Sequence, residues 1–163
     1  MRHRQVVQIF CKGNDKLNVA IRDGKLVLAP ANDDDKTQLW YKDYRFTGNV
    51  TDDEARRPFT LSNVKTGQVI VNKHIQRPDL NYVSLQLAPF HGGEIMNVSM
   101  LWTEGQDLGD GFCEVRTVRD IKWTLNGIFG NVTDGTEVGI YPSSPQAINA
   151  IWKMTVKETN ASV

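Results

Sequence analysis

Apolar and polar residues alternate with a period of two along most of this chain, and no window keeps an i, i+3, i+4, i+7 apolar stripe through three helical turns. The pattern predicts an all-β protein. Short alternating runs meet at polar or glycine-rich turns in the manner of β-hairpins. The first pair is 7–12 and 17–22 around Gly13-Asn14-Asp15. The second is 60–63 and 69–73 around Lys65-Thr66-Gly67, and the third is 113–117 and 122–126 around Arg119-Asp120. A further strand pair follows each hairpin. Its first strand is one of three near-copies: Leu26-Val27-Leu28-Ala29-Pro30, Leu85-Gln86-Leu87-Ala88-Pro89 and Val138-Gly139-Ile140-Tyr141-Pro142. Polar loops at 32–36, 92–97 and 143–148 lead to the second strand, which carries Trp40, Trp102 or Trp152, ten to thirteen residues after the proline.

A spacing of roughly fifty to sixty residues, present three times, marks a triplicated structural unit. Four strands per unit give about twelve strands joined by short connections, which suits a closed barrel with few unpaired edges. The expected fold is a β-trefoil of pseudo-threefold symmetry in one domain, 5–157, with repeats near 5–57, 58–111 and 112–157. Trp40, Trp102 and Trp152 then occupy equivalent core positions, and Trp123, which alternates with Leu125, is expected to pack as well.

Triplication lets the chain act as its own alignment. Before the repeated proline stand Ala29, Ala88 and Tyr141; three residues before the tryptophan stand Thr37, Ser99 and Asn149; on the second strand stand Ala20, Val71 and Asn126. In each column only the third copy supplies a flat ring or an amide. Sugars are bound by such sets, the C–H face of a pyranose packing on an aromatic ring while planar amides exchange hydrogen bonds with its hydroxyls. Tyr141, Asn126 and Asn149 are therefore the expected binding residues. The competing reading makes Tyr141 a surface aromatic and the asparagines turn residues. Asp23 and Gln38 in the first repeat are a second choice, against a hairpin turn at Asp23-Gly24 and a backbone-bonding role for Gln38.

Composition narrows the partners. Nineteen basic residues balance nineteen acidic ones, so no net field favours nucleic acid or an anionic membrane. No apolar run is long enough to insert in a bilayer. The only cysteines, Cys11 and Cys113, cannot staple three repeats and read as small buried hydrophobes of a reducing compartment. The opening Met1-Arg2-His3-Arg4-Gln5 leads into no seven-residue apolar core, so cytoplasm and nucleus are expected, with the sequons at Asn49, Asn97, Asn131 and Asn160 unused. His3, His74 and His91 are scattered, Asp33-Asp34-Asp35 lacks the spacing of a calcium loop, Gly109-Asp110-Gly111 precedes no helix, and no nucleophile elbow or zinc spacing occurs. Neither an enzyme, a cofactor nor a metal is expected.

These segments resemble the Euonymus lectin family, plant proteins of the ricin-B-like β-trefoil group. The likeness runs from Val6 to Val156 and rests on Phe10-Cys11-Lys12, the string from Ile21 to Asn32, Trp40-Tyr41-Lys42-Asp43, Leu101-Trp102-Thr103-Glu104, Asp107-Leu108-Gly109 and Gly111-Phe112. It implies a carbohydrate-binding domain, usually nucleocytoplasmic and often linked to stress responses, whose partners are glycans or glycoproteins, with a homodimer possible. The family's Gln-X-Trp element survives here as Gln38-Leu39-Trp40, the matching positions being Met100 and Ala150. The third-lobe sugar site that the resemblance implies has an aspartate, an aromatic, an asparagine and a following glutamine. Here these positions hold Asn126, Tyr141, Asn149 and Ala150, so the expected site is half kept. The alternative is a trefoil with a degenerate sugar site that serves as a protein-interaction module in stress responses.

Overall fold

The computed structural model describes residues 3–45, 47–72, 83–90 and 97–158. His74, His91, the end of the run 69–73, most of the loop 92–97 and the sequon at Asn160 lie outside the described residues. The first repeat contains β1 (Arg4–Cys11), β2 (Leu17–Arg22), β3 (Lys25–Pro30) and β4 (Trp40–Asp43). The second contains β5 (Thr60–Asn63), β6 (Gln68–Val71), β7 (Val83–Ser84), β8 (Gln86–Pro89) and β9 (Trp102–Glu104). The third contains β10 (Val115–Thr117), β11 (Trp123–Gly127), β12 (Val138–Pro142) and β13 (Trp152–Glu158). Leu85 interrupts the third strand of the middle repeat, which splits it into β7 and β8.

First and last strands of each repeat form a barrel. β13 pairs with β1, β1 with β4 and β4 with β5, all antiparallel. A bridge between Phe59 and Trp102 leads to β9, β9 pairs with β10, and a bridge between Cys113 and Trp152 closes the ring. The middle strands form three hairpins, β2–β3, β6–β8 and β11–β12. β7 lies against β12, and Val27 bridges to Glu137. The result is the β-trefoil that the triplication predicts, all-β and with one shared core rather than three.

That core holds one tryptophan per repeat. Trp40, Trp102 and Trp152 are fully buried among Ile9, Leu28, Leu61, Ile70, Val115, Leu125 and Ile140. A buried indole needs a partner for its N–H, and each finds it on the middle hairpin of its own repeat. Trp40 Nε1 donates to the Val19 carbonyl at 2.9 Å, Trp102 to Ile70 at 3.3 Å and Trp152 to Leu125 at 2.8 Å. Removing any of these side chains is expected to cost about 3–5 kcal/mol. Half-buried Trp123 packs against the same core.

Long-range ionic contacts fasten the loop between β4 and β5. Arg116 on β10 is almost wholly buried and donates to Asp52 and Glu54, both at 2.6 Å. Burial opposes ionisation of Asp52. The Thr103 hydroxyl, the Arg56 and Glu54 amides and Arg116 outweigh it, and the carboxyl lies below its usual range. Between the barrel strands, Lys42 bonds to Glu104, and its ammonium sits 4.8 Å from the Phe59 ring centroid. Cys11 and Cys113 are free and buried. Burial and then the neighbouring Glu104 carboxylate push the Cys113 thiol up to about 12.

Candidate functional site

Strand register decides which side chains share a face. Thr124 lies opposite Tyr141, Leu125 opposite Ile140 and Asn126 opposite Gly139. Because side chains alternate along a strand, Leu125 and Ile140 enter the core, whereas Thr124, Asn126 and Tyr141 share the other face. Asn126 and Tyr141 are diagonal neighbours, a separation of about 7–8 Å that an aromatic side chain spans. Asn149 comes from the loop before β13. Its Nδ2 donates to the Gly127 carbonyl at 2.8 Å and its own carbonyl accepts from Gly127 N at 2.8 Å. All three residues line one cavity of about 250 Å³, together with Gly127, Ile128, Phe129, Gly130, Ser144 and Ala147.

The three compared columns occupy equivalent places. Pro30 pairs with Leu17, Pro89 with Gln68 and Pro142 with Trp123, so Ala29, Ala88 and Tyr141 each lie one step inside the same register. The carbonyls that receive the indoles belong to Val19, Ile70 and Leu125, and the next residues are Ala20, Val71 and Asn126. Among the residues lining the cavity none is charged. Tyr141 stands 40% exposed at the rim, and Asn126 forms the floor at 3%.

Hydrogen bonding assigns the amides a narrower role than their chemistry allows. Asn126 Nδ2 donates to the Thr124 carbonyl at 3.0 Å and to its hydroxyl at 3.1 Å, so both N–H donors are committed and Oδ1 remains as an acceptor. Asn149 spends one N–H on Gly127, which leaves one donor and Oδ1. The rim is also braced: Glu114 Oε2 accepts from Ser143 Oγ at 2.6 Å and from Ser144 N at 3.2 Å, which fixes the loop after β12. Gly13 supports the same loop, since its N donates to the Ile148 carbonyl at 2.9 Å and an added Cβ meets Val132 at 3.0 Å.

The first-lobe candidates are not brought together. Asp23 and Gly24 both have positive φ, at 53° and 75°, and make the tight turn between β2 and β3 that an Asp-Gly pair favours. Gln38 lies at the other end of β3, roughly 20 Å along the strand. It is 1% exposed, accepts from Asn18 Nδ2 and Asn32 N at 3.0 Å each, and donates to the Pro30 carbonyl at 2.8 Å. Gln38 therefore braces the interior of its lobe. The same position in the third lobe is Ala150, fully buried and absent from the cavity wall. Its departure from the family pattern removes an internal brace, not an exposed ligand contact.

Two features of the site escaped the sequence reading. In the first two lobes the loop before the tryptophan begins with a side-chain cap, Asp35 accepting from Thr37 N and Asn97 from Ser99 N, both at 3.0 Å. The corresponding turn in the third lobe, closed by Ala150 N to the Ala147 carbonyl, begins at Ala147. The alanine methyl has no acceptor to cap that turn, and Ala147 lines the cavity. The second feature is Phe129, 85% exposed beside the cavity with φ 64° and ψ 20°. A bulky residue in the left-handed region is an outlier that costs on the order of 1–3 kcal/mol.

No protein-family model matches the chain. Among curated proteins it is similar to the ricin B-like lectin R40G3 of Oryza sativa subsp. japonica, 33% identical over 153 residues that cover 91% of this chain and 72% of that one. It is 34% identical to the ricin B-like lectin R40C1 of the same organism over 93% of this chain and 43% of the relative. With the ricin B-like lectin EULS3 of Arabidopsis thaliana it shares 31% identity over 93% and 47%. The chain thus spans about half the length of two of these relatives. Among solved structures it resembles the Macrolepiota procera ricin B-like lectin in complex with lactose, with a TM-score of 0.69, 12% identity and coverage of 96% and 98%. A designed threefold-symmetric protein, ThreeFoil, gives a TM-score of 0.69 at 14% identity, covering 94% of this chain and 99% of that one.

Proposed function

The chain belongs to the ricin B-like lectins, in their Euonymus-lectin branch, and from that premise we propose that it binds neutral glycans through the cavity of its third lobe. One observation carries the reading. The ring and amides that set the third copy apart in sequence line a single uncharged cavity of about 250 Å³. A pyranose rests its apolar face on Tyr141, and its hydroxyls donate to Asn126 Oδ1 and Asn149 Oδ1. Tyr141 and Ser144 contribute hydroxyls that donate or accept. An uncharged wall favours neutral sugar over uronic or sialic acid, whose carboxylate would lose hydration without an ionic partner. The partners are then glycans or glycoproteins, and the chemistry is recognition without turnover.

Neutral acceptors make a weak site. Hydrogen bonds to a charged partner are roughly twice as strong as those to a neutral one, so Asn126 in place of a carboxylate suggests binding near millimolar, about −4 kcal/mol. Avidity, from a homodimer or from linked copies, raises such a site to useful strength. The test is a glycan array followed by calorimetry at millimolar sugar on the parent and on Tyr141→Ala. Loss of the stacking face is expected to weaken binding by about two- to tenfold. Equal affinity in the two proteins, or no binding to any neutral glycan, sinks the proposal; the latter favours a trefoil that serves as a protein-interaction module.

A further inference from the structure

Phe129 is a costly residue for its place. It holds an aromatic ring 85% exposed to water, on backbone in the left-handed region at φ 64°, a position where glycine is the unstrained choice. Its neighbour Gly130 also has positive φ, 71°. Phe129 and Ile128 line two depressions, the cavity of Tyr141 and a second of about 190 Å³ walled also by Asn131, Thr136 and Glu137. The segment is fixed in position, since Ile128 N donates to the Glu137 carbonyl at 2.9 Å.

We infer that Phe129 is a second stacking platform and that the ligand is an oligosaccharide of at least two residues, one in each depression. This rests on the reading of the Tyr141 cavity as the primary sugar site and extends it along the surface. Exposed aromatic faces are what a sugar chain needs between subsites, because each pyranose presents a C–H face. The second cavity adds polar groups of a different kind. Glu137 accepts from Ser84 Oγ at 3.0 Å through Oε1, and the carboxylate has further lone pairs for sugar hydroxyls. Asn131 can donate and accept. A carboxylate there repels uronic and sialic acids, so the second residue is neutral as well. Strain and exposure at Phe129 are then the cost of presenting its ring to the chain of sugars.

Matched pairs of probes test this: galactose with lactose, mannose with mannobiose, and N-acetylglucosamine with chitobiose, each titrated by calorimetry into the parent, Phe129→Ala and Glu137→Gln. For the recognised pair the disaccharide is expected to bind the parent about tenfold more tightly, about 1.4 kcal/mol. Phe129→Ala is expected to bring that ratio close to one by weakening the disaccharide more than the monosaccharide, and Glu137→Gln, which lies outside the Tyr141 cavity, to reduce the ratio while leaving the monosaccharide affinity unchanged. Circular dichroism on both variants establishes that they fold. A disaccharide that gains nothing over its monosaccharide, or a gain that survives both substitutions, overturns the second subsite and leaves the primary site standing. Failure of every mono- and disaccharide to bind removes both.

Discussion

Restoring the family's aspartate by Asn126→Asp is expected to damage this chain rather than improve it. Asn126 is 3% exposed, and its Nδ2 donates to the Thr124 carbonyl at 3.0 Å and hydroxyl at 3.1 Å. A carboxylate in the same rotamer sets an oxygen against that carbonyl oxygen. Two hydrogen bonds worth about 1 kcal/mol each are lost, and an almost buried charge has no cation among the cavity's lining residues. Together these give a destabilisation of about 2–4 kcal/mol at pH 7. The penalty falls on the ionised form, so the introduced carboxyl has a folded-state pKa above its unfolded value of about 3.9. The folded state then binds the extra proton more readily. Stability relative to the parent is nearly kept near pH 4, where a protonated carboxyl can donate to Thr124, and is lost as the pH rises through the folded pKa. Urea unfolding followed by tryptophan fluorescence measures this, with Trp152 bonded to the adjacent Leu125 carbonyl as a local reporter. A variant as stable as the parent at pH 7, with no difference between pH 4.5 and 7.5, refutes the committed-donor account of Asn126.

Other expectations follow from the same geometry. Arg116→Met strands Asp52, whose side chain is fully buried, and is expected to cost about 3–5 kcal/mol in urea unfolding. The folded pKa of Asp52 is depressed, so its contribution is present at neutral pH and is lost as the pH falls below about 4; acid titration of the variant should lack that component. Cys113, raised to about 12, and buried Cys11 are expected to resist a thiol reagent at pH 8 until denaturant unfolds the chain, and rapid native labelling of either contradicts their placement. Phe129→Gly relieves the left-handed strain and is expected to raise stability by about 1 kcal/mol, a Tm gain of about 2–4 °C, whereas Phe129→Ala keeps the strain and shows no such gain.

The trefoil was legible because triplication repeats its own grammar. Leu26 to Pro30 and its two copies are the middle-hairpin strands, and the tryptophans mark the strands that return to the barrel. The contrast among the copies led to Tyr141, Asn126 and Asn149, since register makes an aligned column a shared position in space. What alternation does not carry is the use to which a polar atom is put. Asn126 reads as a sugar contact and Gln38 as a second choice against a backbone-bonding role; Gln38 braces the interior of its lobe, and Asn126 has only an acceptor left. The Ala147 turn escaped notice, because a missing cap leaves no motif: Ala147 stands where Asp35 and Asn97 cap the other lobes. Phe129 escaped because its backbone angle, which makes its exposure informative, has no signature in composition. Arg116 and Asp52 lie 64 residues apart, beyond any local pattern.

The central claim is tested most directly by a crystal of this chain soaked in a mixture of neutral oligosaccharides. The account predicts sugar density stacked on Tyr141, with hydroxyls within hydrogen-bonding distance of Asn126 Oδ1 and Asn149 Oδ1. Density seated instead at the Asp23 turn or elsewhere on the barrel, with the third-lobe cavity empty, contradicts it.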